Sequence, residues 1–153
     1  VSGASVAMEE LQARIRAVAR GEVTLAQLQG ITAEQARAVA RVGCELSEAG
    51  RLEEARIVFQ GLVATNPRDA SAHAALGTVL QRMGRGDDAL AAYNAALRLR
   101  LEDPVALANR GELRLRSGDP GGRADLEHAV GADPCGTTRA GRRARELLEA
   151  LAR

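Results

Sequence analysis

A chain of 153 residues is long enough to bury one real hydrophobic core. Apolar residues make up 46% of it and aromatic residues only 1%, Phe59 and Tyr93, so the core must be built from Ala, Leu and Val, which suits closely packed helices and argues against a β-sandwich. The 21 basic residues, all Arg, against 20 acidic ones leave a net charge of +1 with no broad basic face, which excludes a dedicated nucleic-acid binder, and the longest apolar runs are far too short to span a bilayer.

Val1 to Ala4 is expected to fray. Ser5 is placed to cap a helix running to about Arg20, with Glu9 and Glu10 near its positive end. Met8, Leu11, Ile15 and Val18 form one apolar stripe on it, to be buried on the following helices or on a second copy of the chain. Gly21 ends this helix. A short helical turn is predicted over Thr24 to Gln29, with Leu25, Leu28 and Ile31 inward and Gly30 as its stop. Thr32 and Gln35 then make a capping box that opens the next helix. No basic stretch followed by an apolar run opens the chain, which predicts no signal peptide and a cytoplasmic location. Cys44 and Cys135 have no partner pattern and are expected as free thiols in a reducing compartment.

From Ala36 onward the chain repeats. Gly43, Gly77 and Gly111 share one spacing, and Gly50, Gly84 and Gly118 share the same one. The first series marks close helix contact and the second ends the first helix of each pair. Within the stretch from Ala70, the order is His73, Leu76, Gly77, Leu80, then Ala89, Tyr93, Ala96. That is the tetratricopeptide pattern. The fold class is therefore all-α. Three tetratricopeptide helix-turn-helix repeats form a right-handed superhelix, between an N-terminal amphipathic helix and a C-terminal capping helix. The segments are 1–35 for the N-terminal extension, 36–69, 70–104 and 105–136 for the repeats, and 137–153 for the closing helix. The third repeat is divergent. Arg110 and Arg114 stand where the first two have Val42, Leu46, Leu76 and Leu80, and Leu126, Ala129 and Pro134 match only if one residue is missing from the turn after Gly118. Thr137 or Thr138 can cap the last helix, whose apolar face is Ala140, Ala144, Leu147, Leu148 and Leu151. Arg139, Arg142, Arg143 and Arg145 cover its other face.

No catalytic constellation emerges. His73 and His128 lie in different repeats, and Cys44 with His73 would lack an orienting third group and an oxyanion site. Too few Cys and His exist for a metal site. The reading is a protein that is not an enzyme and needs no cofactor or metal. What remains is a surface. The first helices of the repeats line the concave side, which places Arg37, Ala40, Cys44 and Ser47, then Ser71, Ala74, Thr78 and Gln81, then Ala108 and Glu112, in a peptide-binding groove of small, mixed-polarity residues. Arg82, Val105 and Leu115 fall on the same side.

Four features add a family resemblance. They are Val23-Thr-Leu-Ala-Gln-Leu-Gln-Gly-Ile-Thr32, Gly50-Arg-Leu-Glu-Glu-Ala55 with Val58-Phe-Gln-Gly-Leu62, the late proline of Leu101-Glu-Asp-Pro104, and the plan of one helix, three repeats and a closing helix. Over about residues 20–150 the chain resembles the class II chaperones of bacterial type III secretion. The resemblance implies a cytoplasmic chaperone that takes an extended, proline-containing segment of a hydrophobic secreted translocator into its groove and keeps it soluble and export-competent. It implies no nucleic-acid partner, no membrane insertion, and homodimerisation through the face of Met8, Leu11, Ile15 and Val18. The alternative is a general scaffold that joins soluble protein partners outside a secretion system.

Overall fold

The computed structural model describes residues 2–20 and 31–153, without the side chains of 2–6, 8 and 18. The described residues form eight α-helices and no strand. The short turn expected over Thr24 to Gln29 lies outside them. The chain divides into two compact units, Val1–Ala72 and His73–Arg153.

In the first unit α1 runs over Ser2–Ala19, α2 over Ala33–Glu48 and α3 over Leu52–Thr65. The helix α1 starts before Ser5, so Ser5 sits within it rather than capping it. The start of α2 follows the expected capping box. Thr32 Oγ1 accepts from the Gln35 amide at 3.1 Å, and Gln35 Oε1 accepts from the Thr32 amide at 2.8 Å, together about 1 kcal/mol of helix stability. Val39, Val42, Gly43 and Leu46 of α2 are buried with Ala55, Val58, Phe59 and Leu62 of α3. A Cβ built on Gly43 would lie 2.7 Å from the Phe59 ring, so only glycine lets the two helices close around that ring. Of the two destinations open to the α1 stripe, the structure takes the first. The helix packs on α2 and α3, with Leu11 and Ile15 buried. This corrects the reading of Leu11 and Ile15 as a dimer face, because both side chains are already used within the chain. The side chains of Met8 and Val18 lie outside the described residues.

The helix α4, Ala70–Arg82, begins at the end of the first unit and continues into the second, where α5 (Gly86–Leu99), α6 (Pro104–Arg116), α7 (Gly121–Ala132) and α8 (Arg139–Leu151) follow. Gly77 meets the Tyr93 ring as Gly43 meets Phe59, with a built Cβ 2.6 Å away. The turns are built alike too. Gly50, Gly84 and Gly118 have φ of 77°, 77° and 80°, a left-handed conformation that ends the first helix of each pair with little cost only in glycine. The late proline has a local cause. Pro104 stands at the first helical position of α6, behind Asp103, whose carboxylate accepts from the Ala106 amide at 2.9 Å.

The third pair packs one residue short. Leu126 faces Gly111, in the role of Phe59 and Tyr93, and the smaller side chain lets α6 and α7 approach until a Cβ on Gly122 would lie 2.5 Å from the Gly111 carbonyl. Arg110 and Arg114 are accommodated by one buried acid from α7. Asp125 accepts from Arg110 at 2.8 and 2.6 Å and from Arg114 at 3.0 Å, while Arg110 Nη1 also donates to Asn94 Oδ1 at 2.8 Å. At the end of α7, Asp133 ties the chain into α8. It accepts from the amides and hydroxyls of both Thr137 and Thr138, and Thr138 in turn caps α8 through the Gly141 amide. Ala144 of α8 is fully buried, and Ala140, Leu147 and Leu148 pack on the core of this unit.

Candidate polypeptide-binding face

Helices α4 and α6 are the first helices of successive pairs, and their exposed sides in the second unit enclose a shallow recess of about 270 Å³ lined by Thr78, Gln81, Arg82, Asn109 and Arg116. Its floor is set by a buried residue. Tyr93, with no exposed surface, sends its hydroxyl up from α5 to donate to Gln81 Oε1 at 2.7 Å, with Thr78 Oγ1 at 3.5 Å. Burial pushes the Tyr93 phenol up to about 12, so it stays a neutral donor at any physiological pH. Asn109 Nδ2 donates to Thr78 Oγ1 at 3.1 Å, and that hydroxyl donates to the Ala74 carbonyl at 3.0 Å. The amides of Gln81 and Asn109 are thus held in place before any guest arrives. Beside them, Glu112 binds Arg116 at 2.7 Å and lies 3.4 Å from Arg143 of α8.

Of the residues read from the sequence as groove-lining, Thr78 and Gln81 line this recess and Glu112 borders it. Ala74 and Ala108 do not. They are 3% and 2% exposed and belong to the core of the unit, where small side chains let helices close. Leu115 also turns inward, with its Cγ 2.8 Å from where a Cβ on Gly122 would stand. In the first unit Arg37 and Cys44 are exposed on α2, Ala40 is half-buried and Ser47 is buried. Partial burial, then the carboxylates of Glu48 and Glu45, push the Cys44 thiol up, which makes it a poor nucleophile. Ser71 is exposed at the start of α4, where its amide donates to Asp69 at 2.9 Å. Asn109 and Arg116 were missed from the sequence. A signal for Arg116 was present, because the glycine period carries Arg82 onto Arg116. None existed for Asn109, whose equivalents are Arg41 and Ala75.

Both cysteines are free and exposed, and no group of three His, Cys, Asp or Glu among the described residues could hold a metal ion. No described helix is long and apolar enough to cross a membrane. The geometry offers hydrogen-bonding amides flanked by guanidinium groups, which suits non-covalent capture of a polypeptide.

The family model described as the bacterial transcriptional activator domain matches residues 6–115. The chain belongs to that family. Its fold is also that of solved type III secretion chaperones. PcrH from Pseudomonas aeruginosa is similar with a TM-score of 0.73 at 23% identity, over 82% of this chain and 98% of PcrH. PcrH in complex with the chaperone binding region of PopD gives 0.72 at 23%, over 82% and 96%. SycD from Yersinia enterocolitica, in complex with a peptide of the translocator YopD, gives 0.68 at 21%, over 81% and 97%. At these identities the likeness establishes a shared tetratricopeptide-like fold. No curated protein sequence matches the chain.

Proposed function

We propose that the protein is a binding module of the translocator-chaperone kind. It holds an extended segment of a hydrophobic, secreted translocator-type protein and keeps that client soluble and export-competent in the bacterial cytoplasm. The likeness to PcrH holding the chaperone binding region of PopD carries this reading. The recess between α4 and α6 supports it, since its amides are pre-positioned to meet the backbone of an extended chain. In the first unit, taken by itself, Arg37, Ala40 and Cys44 of α2 are the positions proposed for polypeptide contact.

Capture of partners from lysate of the source cell, followed by mass spectrometry, tests the reading. A partner with long apolar segments, soluble when co-expressed with this protein and aggregated without it, is the expected result. A client whose solubility is unchanged by co-expression overturns it. The family match favours a second reading, in which the chain is a scaffold that joins soluble protein partners outside a secretion system, as part of transcriptional regulation. Capture of soluble, folded partners alone is the outcome that selects it.

A further inference from the structure

We infer that the groove between α5 and α7 is a second docking site, which takes an amphipathic helix of another protein and seats one of its aromatic side chains over Gly131. The groove lies wholly within the second unit, has a volume of about 780 Å³ and shares no residue with the recess between α4 and α6. Leu97 of α5, Leu107 of α6 and Ala132 of α7 give it an apolar floor, and Leu101, 79% exposed, stands at its rim. A large apolar side chain left in water beside an apolar groove marks a surface that another molecule covers.

Gly131 indicates the shape of that molecule. Within helices, Gly43, Gly77, Gly111, Gly122 and Gly141 each face a neighbour so closely that a Cβ would lie less than 3.0 Å from it. Gly131, in the last turn of α7, faces nothing within 4 Å among the described residues, and its φ is not left-handed. Neither packing within the chain nor a turn therefore calls for glycine there, although glycine weakens a helix relative to alanine. The bare Cα lets a guest approach α7 as the Phe59 and Tyr93 rings approach Gly43 and Gly77, and by the same geometry that guest is a flat ring. A second copy of this chain does not supply it, because its two aromatics, Phe59 and Tyr93, are 2% and 0% exposed. The walls are helices whose backbone groups are already paired, so the occupant must satisfy its own backbone, which an α-helix does and an extended segment does not. The lining carries both signs of charge, Arg98 and Arg110 with Glu102 and Glu127, which suits a helix of mixed charge and disfavours a run of phosphates.

Selection on the intact protein from a displayed library of helical peptides, each about 20 residues long with one face randomised, tests this. Bound peptides should be enriched in Phe, Tyr and Trp on that face at least about twofold over the starting library. A synthetic peptide from that pool should bind the Gly131→Leu variant at least about tenfold more weakly. Leucine fills the groove and favours the helix, so this variant should keep its helical content. In the free protein, Gly131→Ala should raise the melting temperature by about 1–4 °C. A fall would mean that the chain's own packing needs this glycine, and overturns the inference. Absence of aromatic enrichment, or equal binding of the peptide to Gly131→Leu, overturns it too. A dimer seen by sedimentation that Gly131→Leu dissolves would assign the groove to a second copy, and free indole bound as tightly as the peptide would assign it to a small apolar molecule. Either result overturns the inference. The client reading of the recess does not depend on this groove, is tested by lysate capture, and stands under each of these outcomes.

Discussion

The hydroxyl of Tyr93 donates to Oε1 of Gln81 across 2.7 Å, and this one bond joins the core of the second unit to the recess above it. Tyr93 is the single tyrosine of the chain, so alkaline absorbance titration reads it alone. Its folded pKa of about 12 stands above the ordinary value near 10. The associated stability is therefore complete below about pH 10 and is lost as pH rises toward 12, an effect of about 2–3 kcal/mol. The native phenol should titrate near 12 and unfolding should accelerate over that window. Titration at an ordinary pH with the helices intact would show that the ring is solvated. Tyr93→Phe should cost about 1 kcal/mol and free the Gln81 amide.

Gly77 faces the same ring on its other side, with no room for a methyl group. Gly77→Ala should destabilise by about 1–3 kcal/mol, because Tyr93 has to move within a packed core. Gly43→Ala against Phe59 should behave alike. Gly84→Ala meets nothing in space and acts through its φ of 77° alone, so its cost should be smaller, about 1 kcal/mol. Chemical denaturation of the three variants separates these causes. Equal losses at Gly77 and Gly84 would count against close packing as the source.

Most of the fold was legible because repeats state their period three times over. The two glycine series located the helix contacts and the turns, and Thr32 with Gln35 located a helix start. The candidate site was only half legible. Helical periodicity tells which side of α4 and α6 Thr78 and Glu112 share, but it does not tell how deep an alanine lies. Periodicity alone therefore places Ala74 and Ala108 on the lining, whereas the close approach of neighbouring helices buries them. The roles of Asn109 and Gln81 depend on hydrogen bonds between residues far apart in sequence, to Thr78 and Tyr93, which no spacing encodes.

Asp133 makes the join between α7 and α8 sensitive to acid. Hydrogen bonds from Thr138, then Thr137, hold its carboxyl well below the usual aspartate range. A lowered folded pKa contributes stability that is present above the unfolded value, near 4, and is lost as pH falls further. Asp133→Asn should lower the melting temperature at neutral pH, and its deficit against wild type should narrow as pH drops below about 4. A deficit that stays constant with pH would assign the loss to geometry and not to charge.

Arg110 and Asp125 occupy positions that are both apolar in the other repeats, where Val42 stands with Val58 and Leu76 with Ala92. The two substitutions are coupled by chemistry, since either charge alone would be buried without its partner. Asp125→Ala strands Arg110, which is 17% exposed, and should cost about 3–5 kcal/mol. Arg110→Leu strands Asp125 less completely, because Arg114 still reaches it at 3.0 Å, so a smaller loss is expected. Arg110→Leu with Asp125→Ala restores the pairing of the second repeat and should recover most of the stability, or exceed the wild type, because an apolar pair carries no desolvation cost. A double-mutant cycle by urea denaturation measures the coupling. Additive losses would mean that the pair is held by its surroundings, with Asn94 as the principal partner of Arg110.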